Sequence, residues 1–159
     1  MQDAYRIQHG TGQHVVTGSA HRREGRLADA STGSTRGDVI ADLESLLRRA
    51  PALKFACVGS ADGRLLASVG SGNGDRLAAM TSSMLALGES FARDALGSRC
   101  DYAVVSTSAG AIVIVRLPHQ GTGYMLSVGS DGSEVLASTL RAALDTAARI
   151  AAILARNAG

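Results

Sequence analysis

The chain has 159 residues, 45% hydrophobic and 19% charged, which fits one domain of about 120 residues with a substantial core plus an extension, and leaves two domains cramped. Five of the 16 basic and three of the 14 acidic residues lie in Met1 to Gly37, leaving eleven of each for a formally neutral Asp38 to Gly159. Scattered arginines, no Trp and 3% aromatics argue against a nucleic-acid reader, which gathers basic charge and stacking rings on one face.

Met1 to Gly37 holds five Arg, six Gly, three of the four His and only ten hydrophobic residues. It has no apolar periodicity, so it cannot repay the entropy of ordering and is expected to be a disordered extension. Its Arg22, Arg23 and Arg26 form a short solvated cluster. No signal-peptide core and no apolar run near the ~18 residues of a membrane span is present, so a cytoplasmic protein without membrane insertion is expected.

A helix is predicted to open at Asp38, with Val39, Ile40, Leu43, Leu46 and Leu47 on one face, and to end before Pro51. Phe55 to Gly59 and Leu65 to Val69 flank Ser60-Ala61-Asp62-Gly63, whose Asp-Gly supplies the positive φ of a hairpin turn. Gly70-Ser71-Gly72-Asn73-Gly74 then leads into a helix over Asp75 to Gly97, with Gly97 as its C-terminal cap. At 100° per residue, Leu77, Met80, Thr81, Met84, Leu85, Leu87, Gly88, Phe91, Ala92 and Ala95 fill an arc of roughly 180°. Packing on one sheet needs an apolar stripe only somewhat wider than ~100°, so the surplus asks for a second partner, another copy of the chain.

Three strands follow: Asp101 to Ser108, Ala111 to Leu117 and Gly123 to Gly129. The first two are joined tightly enough at Ala109-Gly110 to be antiparallel neighbours. Val113 and Val115 alternate with Ile112, Ile114 and Arg116, so that strand must be covered on both faces. A last helix is predicted from Ser133 to about Arg156, with Leu136, Leu140, Leu144, Ala147, Ile150, Ala151 and Leu154 inward and an Asp145–Arg149 pair outside. The order α-β-β-α-β-β-β-α gives an α+β layered fold around one antiparallel sheet.

Motifs for chemistry are weak. The Gly70 to Gly74 loop lacks the Lys of a P-loop, and Asp75 puts a negative charge where a phosphate would sit. His119, the one His outside the extension, has no carboxylate and hydroxyl at recognisable spacing. Asp62 and Asp131 sit in similar strings that turn chemistry accounts for. Cys57 and Cys100 have no further Cys or His at ligand spacing and are expected to be small buried hydrophobes. No catalytic residue, cofactor site or metal site is expected.

Leu46-Leu47-Arg48-Arg49-Ala50-Pro51, Ala56 to Ser68 with Val58-Gly59-Ser60-Ala61-Asp62-Gly63 at its centre, and Asp75 to Gly88 together resemble the bacterial branch of the Roadblock/dynein light chain family. The resemblance covers about Asp38 to Arg156, including Gly110 to Val115, and makes 38–159 the domain and 1–37 an extension outside it. It implies a profilin-like fold, a five-stranded antiparallel sheet flanked by helices. It also implies pairing through the central helix and an edge strand into a ten-stranded sheet, Asp101 to Ser108 being that edge here. The interface so implied comprises Leu77, Met80, Thr81, Met84, Gly88, Phe91, Tyr102 and Val104. Such domains serve as non-enzymatic platforms for small Ras-like GTPases or motor subunits, and some bacterial members stimulate hydrolysis by the partner. The expected function is therefore a homodimeric scaffold or regulator of a small Ras-like GTPase. A small-ligand-sensing module of profilin or PAS-like architecture is the alternative, and it would need a cavity between sheet and helix near Ala56, Gly59 and Ala67.

Overall fold

A computed structural model describes residues 21–118 and 123–157, with side chains in the first stretch described from residue 33. Three helices and five strands occur in the expected order: α1 (His21–Arg49), β1 (Leu53–Ser60), β2 (Leu65–Gly70), α2 (Gly74–Leu96), β3 (Tyr102–Thr107), β4 (Gly110–Arg116), β5 (Tyr124–Ser130) and α3 (Leu136–Arg156). The strands form one antiparallel sheet in the order β2-β1-β5-β4-β3. This is the α+β fold expected from the sequence.

α1 begins at His21, not at Asp38, so the expectation of disorder across 1–37 fails for the described part of that stretch; residues 1–20 lie outside the described residues. Packing follows a different boundary. Residues 33–38 are exposed or half-exposed, and Val39 is the first buried position. From there Val39, Leu43 and Leu46 enter the core with Ile40 and Leu47 against its edge, in keeping with their spacing.

α1 and α3 share one face of the sheet, α1 over β2 and β1 and α3 over β4 and β5. The main core lies there, joining the helix residues to Ala56, Val58, Val113, Val115, Leu126 and Val128. A smaller cluster of Leu85, Ile114 and Met125 lies under α2 on the opposite face. Val113 and Ile114 thus enter different cores, which gives β4 its two covered faces.

α3 is rotated from its expected setting. Thr139, Ala143, Thr146, Ala147, Ile150, Ala151, Ile153 and Leu154 are buried, while Leu136 and Leu144 are about two-fifths exposed. Small side chains let α3 approach α1 and the sheet closely, and the larger leucines fall beside the contact. The same rotation replaces the expected Asp145–Arg149 pair: Asp145 accepts from Arg141 at 3.1 Å, and Arg149 reaches across to Asp42 of α1 at 2.9 Å.

Turn chemistry closes the ends of the sheet. Gly63 takes φ 81° in the β1–β2 turn, where Asp62 accepts a hydrogen bond from Ser60. Asp131 accepts from the Ser133 backbone N–H at 2.9 Å and pairs with Lys54 of β1 at 2.7 Å. The hydrogen bond from Lys54, then those from Ser133, hold its carboxyl well below the usual carboxylate range. A depressed pKa contributes stability that is complete above the unfolded value of ~3.9 and is lost as pH falls through the folded one. The stability advantage of wild type over Asp131→Asn is therefore expected to be constant at neutral pH and to shrink below about pH 4, measured by urea melts across that range.

Cys57 is fully buried, its thiol donating to the Gly74 carbonyl at 3.7 Å. Burial pushes its pKa up to about 11, which leaves roughly one molecule in a thousand as thiolate at pH 8. Cys100 departs from expectation: it is half-exposed and precedes β3, its thiol donating to the Tyr102 carbonyl at 3.2 Å. Alkylation of native protein followed by mass spectrometry is expected to spare Cys57 until the chain is unfolded.

Candidate dimer and partner-binding surface

α2 is held at both ends by local chemistry. Asn73 caps its start, accepting from the Arg76 N–H at 3.0 Å, and Gly97 ends it in the left-handed region at φ 62°; Asp75 lies in the first turn. The helix comes down tightly on β1. A Cβ on Gly59 would lie 2.9 Å from the Ala78 Cβ, so this glycine serves close packing rather than a ligand cavity. Ala56 and Ala67 belong to the core on the opposite face.

Only Ala78, Thr81 and Leu85 of α2 are buried. The larger apolar residues of the other flank stand out of the fold: Met80 is 53%, Met84 39%, Leu87 67% and Phe91 75% exposed. Their positions at 80, 84, 87 and 91 put them on one helical stripe, turned roughly 120° from the buried one. Thr81 is 5% exposed and so faces its own sheet rather than a partner. Leu77 and Gly88 are half-buried, Leu77 beside Gly72 and Gly88 against Cys100.

β3 is an edge strand bonded only to β4. Tyr102 and Val104 pair with Val115 and Val113, and directly paired residues share a face, so both project on the α1/α3 side. α3 covers β4 and β5 there, leaving Tyr102 46% and Val104 36% exposed. The expected interface residues therefore do not form a single patch. They make two apolar strips on opposite faces of the sheet, one along α2 and one on the edge strand β3, whose Ala103 packs toward the α2 side.

Leu87, absent from the expected interface, belongs to the α2 strip. His119 lies outside the described residues. Glu89 and Arg93, which the helical arc puts on the polar side, join Arg116 of β4: Glu89 accepts from Arg93 and Arg116 at 3.3 Å each and from the Cys100 N–H at 3.1 Å. The Cys100 N–H first, then the two arginines, hold the Glu89 carboxyl below its ordinary range. This joins α2, the loop before β3 and β4 at the rim of the edge. No helix among the described residues is long and apolar enough to cross a membrane.

A model of the Roadblock/LC7 domain matches residues 39–130. The chain belongs to the Roadblock/LC7 family. This Roadblock domain is similar in structure to the Roadblock/LC7 domain from Streptomyces avermitilis, at 21% identity and a TM-score of 0.65 over 73% of this chain and 97% of that one. It is also similar to MglB from Myxococcus xanthus, at 16% identity and a TM-score of 0.67 over 77% of this chain and 91% of that one. The gliding protein MglB from Thermus thermophilus is 19% identical, with a TM-score of 0.67 over 77% of this chain and 92% of that one. At these identities the likeness establishes the shared fold. No curated protein matches the chain by sequence.

Proposed function

We propose that this protein is a homodimeric platform that binds and regulates a small Ras-like GTPase in the cytoplasm, with no chemistry of its own. The observation that carries this reading is the exposed apolar strip Met80, Met84, Leu87 and Phe91 of α2, in a fold that also leaves the edge of β3 open. Isolated exposed apolar residues are ordinary, but a contiguous stripe marks an interaction site, and an unpaired edge strand is a template for a second strand. Two copies joined edge to edge would remove both liabilities at once, placing α2 beside its twin on one face and the Tyr102 and Val104 strips together on the other. The paired helices would then offer protein-sized recognition, on the scale of ~800 Å² per partner. Family membership over residues 39–130 supports the GTPase as that partner, since the resemblance implies platforms of this kind. The platform unit is 38–159, with 1–37 an extension outside it.

Light scattering on the full chain at micromolar concentration is expected to give the mass of a dimer, and a monomer would overturn the first half of the reading. Capture from native lysate with the full chain as bait is expected to recover a small GTPase; bound proteins without one would overturn the second.

A further inference from the structure

At the C-terminal end of α2 an open depression of about 520 Å³ is lined by Glu89, Arg93, Gly97, Ser98, Arg99 and Arg116. Three guanidinium groups face one carboxylate, a local excess of two positive charges in a domain that is otherwise close to neutral. The carboxylate is already occupied. One oxygen of Glu89 takes Arg93 and the other takes Arg116 and the Cys100 N–H, and Arg99 is not among its donors. Arg99 makes no hydrogen bond or ion pair among the described residues, and the Arg116 Nε is buried without a partner.

Helix geometry does not account for this cluster. A helix C-terminus carries partial negative charge and attracts a cation within the last turn, but Arg93 and Arg116 donate to Glu89 rather than to the helix carbonyls, and the Gly97 and Ser98 N–H groups close the end on Arg93 O and Ala92 O at 3.0 and 3.4 Å. The arginines are therefore not spent on capping. Like charges gathered well within the ~8 Å screening length repel one another, and a bound anion would relieve that repulsion. Guanidinium forks match the oxygens of an oxyanion two at a time.

We propose that this depression is a phosphate-binding site, in which Arg116, fixed on β4 by Glu89, forms the floor and Arg93 and Arg99 close on the anion from the rim. A phosphate dianion balances the excess of two charges, whereas a carboxylate balances half of it. The phosphate comes either from a free phosphate compound or from a phosphorylated side chain of a bound protein, and the site stands whether or not a GTPase is the partner.

The test is calorimetric titration of the full chain with inorganic phosphate and, separately, with a phosphoserine peptide, at constant ionic strength set with chloride. Saturable binding is expected, weakened tenfold or more in the double variant Arg93→Ala, Arg99→Ala. Both side chains are exposed at the rim, and circular dichroism is expected to show the variant folded. Tighter binding of the peptide identifies a protein-borne phosphate; equal or weaker binding identifies a free one. Absence of saturable binding for both probes, or binding of equal strength in wild type and the folded variant, would overturn the proposal.

Discussion

Replacing Phe91 with aspartate is expected to turn the proposed dimer into a folded monomer. Phe91 is 75% exposed in the single chain, so its ring contributes little to folding, and a carboxylate there stays in water once the copies separate. In a symmetric pair each substitution is met twice. Losing about 1.5–3 kcal/mol of burial per side chain removes about 3–6 kcal/mol from association, a weakening of Kd by two to four orders of magnitude. Light scattering reads the mass and circular dichroism the fold. A variant that stays dimeric at micromolar concentration would move the interface off this stripe, and one that unfolds would show that Phe91 packs within its own chain.

How much of this surface is legible in the sequence depends on which physical fact each residue answers to. Element order, the two hairpins and the cap at Gly97 follow from local chemistry, since periodicity, Asp-Gly turns and left-handed glycines act over a few residues. The wide arc on α2 is legible for the same reason. Its division is not: Met80 and Thr81 are chain neighbours, yet one is 53% exposed and the other 5%. That split is set by where the helix touches the sheet, at Gly59 against Ala78, a contact between elements that carries no spacing signal.

The same limit explains the other corrections. On α3 the leucines at 136 and 144 are larger apolar side chains, and size favours them for the core; close approach to α1 instead selects Thr139, Ala143 and Thr146, with Leu140 against the core edge. Tyr102 and Val104 fall on the face away from α2 because a strand's face is fixed by its partner, and only the pairing of Val104 with Val113 shows it. Glu89, Arg93, Arg99 and Arg116 come from a helix, a loop and a strand, and no local motif links them. Composition predicts disorder for the extension, yet α1 runs back through it to His21 without burying a described side chain before Val39.

Within α2, neighbouring residues are expected to separate folding from association. Leu85 is 1% exposed, packed with Ile114 and Met125, and Leu85→Ala is expected to cost about 2–5 kcal/mol through lost transfer energy and the cavity left behind. For a domain of this size that is a fall in Tm on the order of 10 °C. Met84, one residue earlier, is 39% exposed on the other flank, so Met84→Ala is expected to change the stability of the single chain by less than about 1 kcal/mol. Both are best measured in the Phe91→Asp background, where association no longer adds to the melting curve. In the otherwise wild-type chain, Met84→Ala is expected to weaken the proposed dimer while leaving circular dichroism unchanged. Equal losses of Tm for the two variants in the monomeric background would mean that α2 buries both flanks against its own sheet, and the stripe would then no longer be available to a second copy.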